Sequence, residues 1–224
     1  MIKFNSMHEW KDYCFNANGK YLKNGHFRKW ISKKEIDIIN LSDLREGSIR
    51  HIRLGIGDAI KLLGLHFKVR CGKATGRKLS GFISKNSAVS SSKLLKMIMK
   101  SRKQNNNENA NVLIVSRPVE SLGSVIEDGE ALTFVSEGAT IFAFSRSRKY
   151  PGRFLRRRAR HEALHLLGLN FHHEDTKIRG WPGKSPCNME YNAPVKKVCR
   201  KCKGALQSFW KGIEYATKQK FITG

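Results

Sequence analysis

Residues 161–169 read HEALHLLGL, and no other string in the chain constrains it as much. His161 and His165 are four apart, so a helix puts both imidazoles on one face, one turn above the other, within reach of a single metal. Zinc suits two imidazoles, at roughly 2.0–2.1 Å from each nitrogen. Glu162 sits beside the first histidine and slightly off that face, where it can take a proton from water acidified by the metal. Gly168 falls where the longer H-E-x-x-H-x-x-G signature needs a sharp turn, so that the chain leaves the helix and returns a third ligand. The competing reading is an amphipathic helix with two incidental histidines and a glycine cap. It is the weaker one, because several separate requirements are met together.

The elements around this helix follow from periodicity. Ile52, Ile56, Ile60 and Leu63 recur at helical spacing and Gly64 supplies a stop. HFKVR (66–70) alternates like a strand, the stretch 72–91 reads as a long loop, and Ser92 caps a helix to about residue 103. VLIV (112–115) suits a buried strand and is followed by a loop through Gly129. ALTFV (131–135) and TIFAF (140–144) are two more strands meeting at a tight turn, and Pro151 opens the helix that runs to about Leu169. Strands alternate with helices, which predicts an α/β sandwich with a mixed sheet. Residues 1–43 mix Trp10, Tyr13, Phe15, Tyr21, Phe27 and Trp30 with Lys and Arg without a clean period. They read as an N-terminal extension packed on a main domain of residues 44–224; stacking on nucleobases is the second reading of those aromatics.

The 224 residues carry 43 Lys and Arg against 18 Asp and Glu, a formal charge of +25, which attracts polyanions: nucleic acid, acidic peptides or anionic surfaces. A set of solvated basic faces explains the charge equally well. No apolar run approaches the roughly 20 residues of a membrane helix, and none at the start resembles a signal peptide, so the expectation is a cytoplasmic monomer away from membranes. Of five cysteines, Cys187, Cys199 and Cys202 gather near histidines, which favours metal over disulfides. Cys199-x-x-Cys202 alone leaves a redox pair open, although structural zinc fits better with a helical pattern following it. Cys14 and Cys71 read as ordinary thiols.

The string HEALHLLGLNFHH, then Cys187-Asn188-Met189, then Cys199-x-x-Cys202, resembles the archaemetzincin family of zinc peptidases. The pair ALTFVSEGATIFAFS is similar to the family's strand bordering the substrate cleft and its successor. The resemblance spans about residues 50–215, with its specific motifs between 161 and 202. It implies a compact zincin (metzincin) sandwich with a mixed sheet, an active-site helix and a C-terminal helix. It further implies a catalytic zinc on His161 and His165, Glu162 as general base, Met189 packed in the turn beneath the metal, and a second, structural zinc involving the Cys-x-x-Cys.

The chain departs from the pattern in three ways. The third histidine is due where Phe171 stands; one extra loop residue makes His172 the ligand. His173 takes the place of a cysteine ligand, so Cys187, Cys199, Cys202 and His173 form the expected second tetrahedral set. The segment from His173 to Cys187 is longer than usual, and that from Met189 to Cys199 shorter. Tyr191 stands where some metzincins keep a tyrosine whose phenol stabilises an oxyanion. Arg157 and Arg158 lie four and three residues before His161, where they either approach the cleft and favour acidic substrates or join a solvated face with Arg153, Arg156 and Arg160. The expectation is a zinc metallopeptidase acting on peptides or small proteins. The alternative is a catalytically inactive, zinc-stabilised basic protein that binds nucleic acid or a ribonucleoprotein.

Overall fold

The computed structural model describes residues 2–72, 88–121, 124–144, 149–169, 171–172, 176–179, 187–189 and 197–222, and in it the segment before residue 44 is regular. A short strand β1 (Ile2–Phe4) leads into α1 (Met7–Leu22), α2 (Gly25–Lys33) and strand β2 (Glu35–Leu41). Ser6 and Asn24 cap the two helices by accepting amide N–H groups of the first turn. Trp10, Phe27 and Trp30 are fully buried, so most of the N-terminal aromatics pack as expected. The segment read as an extension also contributes an internal strand, β2, with Ile36 and Ile38 buried while Asn109 Nδ2 donates to both Glu35 and Asp37 on the other side. Those acidic residues obscured the alternation.

The chain continues through α3 (Glu46–Leu63), β3 (Lys68–Cys71), β4 (Val89–Ser90), α4 (Ser91–Asn105), β5 (Ala110–Val115), β6 (Val119–Ser121) and β7 (Ser124–Ile126). Then come β8 (Ala131–Phe134), β9 (Ala139–Ala143), α5 (Gly152–Leu166), β10 (Thr176–Ile178) and α6 (Arg200–Thr217). Several details differ from the sequence expectation, among them β4, which falls within the stretch 72–91 read as a loop. Ser90, not Ser92, caps α4, because its Oγ reaches the Lys93 amide. The loop expected up to Gly129 contains β6 and β7, an antiparallel pair too short for periodicity to reveal.

The main sheet is mixed, with order β3-β2-β5-β9-β8; β2, β3, β5 and β9 run parallel and β8 is antiparallel to β9 at the edge. The molecule is therefore α/β, as alternation predicted. β5 is buried throughout: Val112 and Ile114 join one apolar cluster with α1, α2, α3, α5 and α6, while Leu113 and Val115 join a second with α4. A strand covered on both faces needs the continuous apolar run VLIV shows.

Two elements set the position of α5. α3 crosses it so closely that a Cβ on Gly55 would lie 2.2 Å from the Arg156 carbonyl oxygen and 2.9 Å from Ala159 Cβ. β8 runs along its other side. No helix among the described residues is long and apolar enough to cross a membrane.

Candidate metal centres

Leu155, Ala159, Ala163, Leu164 and Leu166 anchor α5 in the core, which leaves His161 and His165 on the side facing β8. At the end of the helix Gly168 adopts φ 110°, a conformation open to glycine, and a Cβ there would sit 2.4 Å from Phe209 Cε1. The chain reverses at this point. Phe171 turns away to pack edge-on against Trp10, with ring centroids 4.8 Å apart, and His172 returns to the helix. His161 Nε2 lies 3.1 Å from His165 Nε2 and 3.3 Å from His172 Nε2. The structure thus brings together the histidines at 161, 165 and 172, and Phe171 is not among them.

The outer nitrogens explain why the inner ones converge. His161 Nδ1–H donates to the Asn188 carbonyl oxygen at 2.6 Å, and His165 Nδ1–H donates to that of Leu169. A carbonyl only accepts, so the proton sits on Nδ1 and each Nε2 offers a lone pair. Lone pairs facing one another at this distance repel unless a cation lies between them. Two nitrogens at roughly 2.0–2.1 Å from a tetrahedral zinc are themselves about 3.3 Å apart, which matches the observed spacing. Burial, then the neighbouring His165, pushes His161 down to about 3, which keeps it neutral, as ligation requires.

Glu162 is buried and faces the same cavity, about 520 Å³ in volume, which is also lined by Glu130, Thr133, Arg158 and the three histidines. Thr133 Oγ1–H, on β8, donates to Glu162 Oε2 at 2.9 Å, and Thr140 lies behind it at 3.1 Å. Burial holds the Glu162 carboxyl above its ordinary range, with His165, Arg158 and the Thr133 hydrogen bond acting in the opposite direction. A carboxylate in such a setting holds a proton more readily than one in water.

Of the arginines, Arg158 lines the cavity, with Nε–H donating to the Gly129 carbonyl at 3.1 Å. Arg157 lies over the Phe154 ring, and Arg156 makes a bidentate ion pair with Asp58 of α3, both contacts at 2.7 Å. The basic stretch is therefore divided between the cleft, the helix crossing and an aromatic neighbour.

Cys187, Cys199 and Cys202 form a second buried group, and their sulfurs together can hold a metal ion. Backbone N–H groups of Met189 and Cys199 point at Cys187 Sγ (3.5 and 3.3 Å), and that of Cys202 at Cys199 Sγ (3.4 Å). Among the three thiols, mutual hydrogen bonds come first and burial adds to them, raising the Cys202 thiol; Cys187 is raised chiefly by Cys199. A bound cation inverts this and favours thiolates. Met189 is fully buried beside these groups, and Asn188, next to Cys187 in the chain, reaches the histidines: its carbonyl holds His161, while its Oδ1 accepts from Arg160 Nε at 3.1 Å. His173 and Tyr191 lie outside the described residues. Cys14 is buried, with its thiol pushed up to about 12 by burial, and Cys71 is exposed.

Sequence reasoning did not find Thr133, Asn188 or the Leu169 carbonyl. Only Asn188 had a local signal, its place between Cys187 and Met189. Compared with models of protein families, with curated proteins and with solved structures, the chain matches none.

Proposed function

We propose that the protein is a zinc-dependent metallopeptidase of the archaemetzincin kind. The observation behind this reading is the convergence of three histidine Nε2 atoms, two with their Nδ1–H tied to backbone carbonyls, in one cavity with a buried carboxylate. A purely structural site has no use for Glu162. The antiparallel edge strand β8 beside the active helix supports the zincin-like architecture.

In this reading His161, His165 and His172 hold zinc, which when bound polarises a carbonyl and acidifies water. Glu162 takes the proton of the attacking water on its carboxylate and later delivers it to the leaving amine. The Thr133 hydroxyl keeps that carboxylate turned toward the cavity. Arg158 draws acidic groups of a peptide into the cleft, and Tyr191 supports the developing oxyanion. Cys187, Cys199 and Cys202, with His173, hold a structural zinc.

Metal analysis with peptide hydrolysis assayed in parallel tests the proposal. Wild type is expected to carry two zincs. His172→Ala loses one zinc and all hydrolysis, whereas Glu162→Gln keeps both and loses about 100-fold or more in kcat. One zinc in every variant with no hydrolysis would overturn the peptidase reading and favour a zinc-stabilised binding protein.

A further inference from the structure

α1 and α6 run side by side and parallel, tied by Trp10 Nε1–H to the Lys201 carbonyl and by Asn18 Nδ2–H to the Phe209 carbonyl, each at 3.4 Å. Between their outward faces lies a cavity of about 490 Å³ that shares no lining residue with the metal cleft. Its cations are Lys11 from α1 and Arg200, Lys203 and Lys211 from α6, with polar Gln207 and Ser208 between them. Among the described residues no carboxylate lines it, and none of the four cations makes an ion pair. Elsewhere Arg156, Lys29 and Arg70 are each matched with an acidic partner. Four uncompensated like charges around a concave site repel one another and focus their field on whatever anion enters.

The shape of the array narrows the choice of anion. Arg200, Lys203, Gln207 and Lys211 recur at helical spacing, so the stripe extends about 16 Å along α6. One turn beyond Lys211 comes Tyr215, 70% exposed, and one turn beyond Lys11 comes Phe15; the two rings lie 6.1 Å apart. Lys218 Nζ, 4.4 Å from the Tyr215 ring centroid, extends the positive charge to that end. A line of cations leading to an exposed tyrosine backed by a half-buried phenylalanine matches a flexible polyphosphate strand whose bases are free to stack. A compact anion would need the charges gathered at one point, and a duplex offers no exposed base face to Tyr215.

We infer that the groove between α1 and α6 binds a single-stranded nucleic acid, with Lys11, Arg200, Lys203 and Lys211 on the phosphates and Tyr215 stacked on a base. This is independent of the peptidase reading, since no residue is shared with the cleft.

The test is fluorescence anisotropy of a labelled mixed-sequence single-stranded oligonucleotide with the full, zinc-loaded chain, titrated at several salt concentrations. Lys11→Glu/Lys203→Glu/Lys211→Glu is compared with Lys61→Glu/Lys96→Glu/Lys100→Glu, which has the same net charge but alters exposed positions on α3 and α4. The groove variant is expected to bind at least about 100-fold more weakly, with the slope of log affinity against log salt reduced by about 2. The control is expected to change only a few-fold, and Tyr215→Ala to lose about tenfold. Should the groove triple variant melt early, Lys203→Gln and Lys211→Gln made singly read the same loss in smaller steps. Equal losses in both triple variants, equally effective competition by polyglutamate, or a duplex binding as tightly as the single strand would each overturn the inference.

Discussion

In the proposed peptidase, Thr133 would act on the chemistry of the cleft only through another residue. Its hydroxyl meets Glu162 Oε2 and is itself backed by Thr140, so the carboxylate is oriented by a chain that begins on β9. Thr133→Val keeps the shape and removes the donor; kcat is expected to fall about tenfold with KM and zinc content unchanged, and Thr133→Ser to restore most of it. A fall in zinc content instead would mean that the residue supports the site's structure. None of this was visible in ALTFV, where a threonine on a strand is unremarkable. Glu162, His161 and His165 were legible because helical spacing fixes their mutual geometry over one turn. His172 was reached only by counting a loop residue, and the position of Phe171 against Trp10 is what leaves the place to His172.

The angle of α5 decides whether its histidines meet β8 and the returning loop, and α3 holds that angle. Because the Gly55 position touches the Arg156 backbone, Gly55→Ala cannot be absorbed by a side-chain rotation and must push the helices apart. The expected cost is about 1–3 kcal/mol in a denaturant melt, accompanied by weaker metal retention at the histidines. Unchanged stability would show that the crossing has slack. α3, α4 and α5 and strands β5, β8 and β9 were legible because helical spacing or a short apolar run within their own residues marks each of them. β2, β6 and β7 were not. β2 has a buried pair of isoleucines flanked by charges whose partner, Asn109, is about seventy residues away.

The two candidate centres adjoin through residues 187–189, so with metals bound as proposed, removal from one centre is expected to disturb the other. Cys187 belongs to the thiol group and the next residue holds His161. Chelation is expected to lower the melting temperature by on the order of 10 °C, because ligand release at about 1,000 times Kd removes roughly 4 kcal/mol and each kcal/mol shifts Tm by about 2–4 °C. Cys199→Ser should lower Tm and also reduce zinc occupancy at the histidines, measured by metal analysis; full occupancy there would show that the centres are independent. The residues by themselves determined the alternation of strands and helices, the histidine pair with its neighbouring glutamate, and the cysteines that can hold metal, because these depend on spacing within one element or on side-chain chemistry. Tertiary structure alone decided which histidine returns to the helix, which backbone carbonyls fix the imidazole protons, that the first forty residues supply an internal strand, and that α1 and α6 align four cations. Each of these depends on contacts between residues distant in sequence, for which the chain has no local period to read.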